Sequence, residues 1–210
     1  MASTMKHQFM AKPRFPEGPT AADLPIVEHD NNSLILRLHM TVNHLSRWLT
    51  PITDPMVIEQ TVRRGEPSVL DLLIRMRDEE LVVLAYMHAI VNEINPDLDK
   101  IPDPRTTPER LASNPDRTWT GVLADFRRLR QSTCSILRAL PDNAWSRVGT
   151  SRIEHDWQIR SLAERLANHD LDCLYQIDLA LDRSGARNSI NRAAGAHLDE
   201  ILRLIPVRPR

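Results

Sequence analysis

Glycine, cysteine and aromatic residues are all scarce in this 210-residue chain, and each shortage excludes something. The six glycines are scattered, so no glycine-rich phosphate-binding loop can be drawn. With aromatics at 4% as well, a helical protein is expected rather than a sheet-rich one. Two cysteines, Cys134 and Cys173, make no disulfide framework, and the expected compartment is the reducing cytoplasm. An excess of one charge is missing too: 27 basic and 28 acidic residues give a net charge of −1. That balance removes any general pull toward nucleic acid or an anionic membrane surface. No apolar run approaches the roughly 18 residues of a membrane span. The opening "MASTMKHQFMAKPRF" lacks the continuous apolar core of a secretory signal. What is present, 41% hydrophobic and 26% charged residues, is ordinary for a soluble globular domain.

Residues 1–30 carry Pro13, Pro16, Pro19 and Pro25 without a sustained period and read as an extended arm. Behind Ser33, taken as a cap, Leu34, Leu38, Thr41, Leu45 and Trp48 recur at helical spacing up to Thr50-Pro51. "DPMVIEQTVRRG" reads as a short helix capped by Asp54 and closed by Gly65. A second long helix follows Ser68, with Val69, Leu72, Met76, Val83, Met87, Ile90 and Ile94 on its buried stripe. Glu80 falls inside that stripe, and a buried carboxylate needs a partner. Five prolines in residues 96–116 mark a long loop with a lid or packing role.

The third helix shows Val122, Phe126, Leu129, Thr133, Ile136 and Leu140 on one face. Arg127, Arg128 and Arg130 are read as its solvated side. After a connector carrying Trp145, a fourth helix runs from about Trp157 to Asp182, stopped by Ser184-Gly185. Its stripe is Ile159, Leu162, Leu166, His169, Cys173, Ile177 and Ala180. A last helix is expected near Ser189 to Ile205, within a terminal segment 186–210. The architecture expected is all-α: an antiparallel four-helix bundle over 31–185, with the arm in front and one further helix behind.

His169 and Cys173 stand four residues apart, on one helix face turned toward the bundle interior. Imidazole and thiolate are good ligands for zinc or another borderline metal, but two donors are not a site. The plainer alternative is a hydrogen-bonded core histidine beside a cysteine acting as a small hydrophobe. A catalytic Cys173 is a third reading, requiring a lowered pKa from His169 or a cation. His39, His44 and His88 read as interfacial or surface residues, and His155 as a loop histidine near a cap.

Four segments, in order, resemble the DinB/YfiT-like superfamily of four-helix metalloproteins. They are "VLDLLIRMRDEELVVLAYMHAI", "FRRLRQSTCSILRAL", "PDNAWSRVGT" and "LAERLANHDLDCLYQI". The nearest matches are Asp78 and Glu80 in "RDEE", the Trp145-x-Arg147 turn, and His169, Asp170, Gln176 and Ile177. The resemblance implies a divalent metal, zinc or nickel, on three histidines, with transferase or hydrolase chemistry on small molecules and homodimerisation. Carried across, those ligand positions fall at Arg75, His169 and Cys173. Arginine offers no lone pair and cannot ligate.

Two functional readings follow. In one, the site is degenerate and metal-free, with Arg75, Glu80, His169 and Cys173 around a pocket for an anionic small molecule. In that case no cofactor is needed. In the other, a metal-dependent enzyme uses a modified site of His169, Cys173 and a carboxylate. Within the first, Arg75 either projects inward to Glu79, Glu80, Asp170 or Asp172, or snorkels to the surface.

Overall fold

The computed structural model describes Ile26 and residues 29–108 and 118–187. Apart from Ile26, His29, Asp30, Ala186 and Arg187, the expected arm and terminal helix lie outside the described residues. Four long helices carry the fold: α1 (Asn31–Leu49), α3 (Val69–Asn92), α4 (Trp119–Ala139) and α5 (Ile159–Arg183), with a single turn, α2 (Met56–Glu59), between the first two.

Local chemistry sets the helix ends. The cap of α1 is Asp30, whose carboxylate accepts from Ser33 N at 2.7 Å, three residues ahead of the expected cap. Ser68 and Asp71 form a reciprocal capping box on α3, each bonding the other's backbone N–H. Past Asn92 the chain leaves the helix, and Asn95 adopts a left-handed φ of 49°. Ile94 is therefore off the stripe and 91% exposed. Near Asp54-Pro55 the expected helix shrinks to one turn, because Gln60 already turns extended well before Gly65.

Helix directions follow from two core layers. One gathers Leu45 and Trp48 from the end of α1, Leu72 and Met76 from the start of α3, Val122 and Phe126 from the start of α4, and Ile177 and Leu181 from the end of α5. The other holds the opposite ends: Leu34, Met87 and Ile90, Leu137, and Leu162 with Leu166. Thus α1 and α5 run one way, and α3 and α4 run the other. Both α3 and α1 pack against α4 and α5, so α1 lies diagonally across from α3. Consecutive long helices are antiparallel except α3 and α4, which are parallel neighbours. Residues 93–118 therefore join opposite ends of a bundle whose α3 alone is about 36 Å long. A parallel pair needs such a long connection, which accounts for the proline-rich stretch.

The connector from α4 to α5 is tied to the end of α3. It holds a 3-10 turn (Asp142–Ser146) with Trp145 buried, then β1 (Val148–Gly149) paired antiparallel with β2 (Trp157–Gln158). Arg147 donates to Val91 O and Glu93 O, both at 2.9 Å, satisfying carbonyls the α3 terminus leaves open. A second 3-10 turn, Leu98–Lys100, is bound to the connector through Leu98 N to Thr150 O and Thr150 N to Pro96 O, each 2.8 Å.

Candidate functional site

The centre of the bundle is polar. On α4, Val122, Phe126, Arg130, Thr133 and Leu137 recur at spacings of four and three and share the buried face. Arg130 is 1% exposed, so the reading of it as solvated is wrong, whereas Arg127 and Arg128 are exposed as expected. Leu129 and Ile136 are only partly buried, because the true face is rotated by about one residue to take in the arginine.

What holds Arg130 inside is a closed set of oxygens from the other three long helices. Its Nε donates to Glu80 Oε2 at 2.9 Å, and Nη2 stands 2.7 Å from the same oxygen. Nη1 and Nη2 fork onto Asp170 at 2.6 and 3.0 Å, and Nη1 also donates to Leu38 O at 2.8 Å. The second Glu80 oxygen accepts from Thr133 Oγ1 at 2.5 Å. Phe126 lies beneath, its ring centre 4.9 Å from the guanidinium carbon. Burial opposes the positive charge, but Asp170 and Glu80 outweigh it and hold the guanidinium well above its ordinary value.

Two more buried cations are Arg77 on α3, 1% exposed and paired with Asp78 at 2.7 Å, and Arg37 on α1, 6% exposed. Arg37 Nη1 has no hydrogen-bond partner among the described residues. Burial lowers its pKa, and the Asp170 carboxylate offsets part of that. With Arg77 taken up by Asp78, Arg130 and Arg37 balance Glu80 and Asp170.

The three positions implied by the resemblance lie toward the α3–α5 side. Arg75 is exposed on α3, with its charge close enough to Cys173 to favour the thiolate. Cys173 is 3% exposed, and burial first, then Asp170, pushes its thiol up to about 12. A thiol so raised is a poor nucleophile at neutral pH. His169 is half-buried, its Nε2 3.8 Å from Cys173 Sγ and its Nδ1 enclosed without a partner among the described residues. Glu80 is engaged by Arg130 and Thr133 instead of Arg75. One turn along, Glu79 bonds Arg165 of α5, which also meets Glu154 at 3.2 Å and lies 5.0 Å from the Trp157 ring centre. The remaining described histidines divide: His39, His88 and His155 are exposed, and His29 and His44 are buried at 8% and 1%.

Do these residues fit a metal? In a tetrahedral site with Zn–S about 2.3 Å and Zn–N about 2.0–2.1 Å, the two ligand atoms stand about 3.6 Å apart. The His169–Cys173 pair is near that spacing. The rest of the set does not fit: the third position is an arginine, and the described residues contain no group of three metal-donor side chains.

Arg130, Arg37, Arg77 and Asp170 are buried charged residues that periodicity missed. For Arg130 the available signal was Glu80, which demanded a cation, together with the 122-126-130-133-137 spacing that places one opposite it.

No protein-family model and no curated protein matches this sequence. Among solved structures, YfiT from Bacillus subtilis matches with a TM-score of 0.61 at 17% identity, over 83% of this chain and 94% of that one. It is described as a probable metal-dependent hydrolase with an unusual four-helix bundle topology. At that identity the likeness carries the fold alone. By its fold, this chain is a four-helix bundle like that of YfiT.

Proposed function

We propose that this chain binds a small anionic molecule at the α3–α5 face beside Arg75, His169 and Cys173, without a resident metal. One observation carries the reading: Arg75 is exposed next to Cys173 and makes no hydrogen bond or ion pair among the described residues. An uncommitted guanidinium takes carboxylate or phosphate by a two-point fork. His169 and the un-ionised Cys173 line the wall beside it. The same reading takes the protein as a cytoplasmic homodimer, which light scattering on the purified chain tests. No described helix is long and apolar enough to cross a membrane.

The experiment is calorimetric titration of tag-free protein with phosphate, citrate and benzoate, repeated on Arg75→Ala. A charge-assisted hydrogen bond is worth about 1.5–3 kcal/mol, so the variant should bind about 10- to 100-fold more weakly. Equal binding by both proteins would refute the site. Near-stoichiometric zinc or nickel by elemental analysis would refute the metal-free part.

The other reading is a metal-dependent enzyme of the hydrolase or thiol-transferase type, and the spacing of His169 and Cys173 favours it. Changing Arg75→His and Cys173→His together should then create tight zinc binding. Its absence would mean that these positions do not correspond to the ligand positions of the resemblance.

A further inference from the structure

We propose that the centre of this bundle is a binding site for one planar monovalent cation, and that Arg130 is its permanently tethered occupant. Five N–H donors belong to a guanidinium. Five N–O contacts receive them here, two from Glu80, two from Asp170 and one from Leu38 O, all between 2.6 and 3.0 Å. The two carboxylates come from α3 and α5 and the carbonyl from α1, so the cation on α4 joins all four long helices. Glu80 is 0% exposed and Asp170 3%, so the two carboxylates call for a matching positive charge inside the bundle.

Charge selects the kind of cation. Arg77 is taken up by Asp78, so with Arg37 already present, Glu80 and Asp170 leave the cavity one positive charge short if Arg130 is removed. A monovalent ion restores neutrality, while a divalent ion overshoots it beside the buried, partly unpartnered Arg37. Shape selects further, because the fork onto Asp170 and the edge contact to Glu80 suit a flat, five- or six-donor ion and not an ammonium. Truncating Arg130 should therefore uncover a receptor for free guanidinium or a small alkylguanidine.

The test is thermal and urea unfolding of full-length Arg130→Gly with and without guanidinium chloride at about 20 mM, far below denaturing concentrations. Sodium chloride and calcium chloride at matched ionic strength are the controls. The variant should melt roughly 10 °C below the parent. Guanidinium should recover at least half of that loss, and neither control salt should. A variant isolated unfolded is tested by refolding into the same three solutions, with helical circular dichroism as the readout. Arg130→Lys, which keeps the charge and fills the space, should be destabilised yet indifferent to guanidinium. The triple variant Arg130→Met, Glu80→Gln, Asp170→Asn should likewise not respond. An Arg130→Gly protein, folded or unfolded, that gains no more from guanidinium than from sodium chloride overturns the proposal. So does a triple variant that responds equally.

Discussion

Adding one methyl group at Gly149 tests how tightly the connector is sewn to the end of α3. A Cβ there would lie 2.8 Å from Leu98 Cδ2 and 2.9 Å from both Leu98 Cγ and Ile90 Cγ1. Ordinary carbon contacts begin near 3.5 Å, so the neighbours must retreat by about 0.6–0.7 Å. Neither has room, since Ile90 is 0% and Leu98 1% exposed. The Leu98 backbone is also pinned, through its N–H to Thr150 O and through Thr150 N to Pro96 O. The φ of Gly149 is not in the left-handed region, so the substitution probes space and not backbone strain. Overpacking of this kind costs about 1–3 kcal/mol. For a chain of this size that lowers the melting midpoint by roughly 5 °C. Urea unfolding followed by circular dichroism gives the number directly. Leu98→Ala supplies the control: alone it opens a cavity costing about 2–5 kcal/mol, but it also vacates the space the methyl needs. The double variant should be more stable than the sum of the two losses predicts, by about 1 kcal/mol or more. A Gly149→Ala loss under about 0.5 kcal/mol, or strict additivity with Leu98→Ala, would refute the close-packing account.

Three further outcomes are expected. His44 is buried beside the Trp48 ring, and burial first, then the Arg47 charge, lowers its pKa from 6.5 to about 3. Its neutral form is favoured by folding, so the associated stability is complete above pH 6.5 and drains away as pH falls toward 3; His44→Phe should flatten that limb of the unfolding-versus-pH curve. Arg147→Ala removes two charge-assisted bonds to the α3 terminus and should cost about 2 kcal/mol, with amide-exchange protection lost first in the last turn of α3. Cys134 and Cys173 are pushed up to about 11 and about 12, chiefly by burial, so an aromatic disulfide reagent at pH 8 should label neither until the protein unfolds.

The fold was legible because its signals are local and repeated. Capping residues, helix-stopping prolines and apolar stripes at a 3.6-residue period located the four long helices, and Asp170 stood among the partners considered for Arg75. The centre was harder to read. Periodicity assumes that the buried face is the apolar one, so on α4 it chose Leu129 and Ile136 over Arg130. The error vanishes once Glu80 is allowed to choose its own partner, because only Arg130 on α4 sits where that carboxylate can be neutralised. On α5 the same assumption counted His169 into the stripe and left out its neighbour Asp170, whereas the carboxylate is the buried one. Arg75 could not be placed from spacing at all: a long side chain at the border of a stripe has both an inward and an outward course.

The central cation also bears on how the chain reaches its native state. Helical bundles usually assemble quickly, because most of their contacts join residues close in sequence. Here the residues that meet Arg130 stand 92, 50 and 40 positions away, on three different helices. None of those contacts can form until loops of that length have closed, and a half-assembled set leaves a bare charge in an apolar layer. The apolar ends can condense early, but the middle closes all at once or not at all. In kinetic terms, the arginine that makes the bundle centre neutral also makes it the last part to be committed.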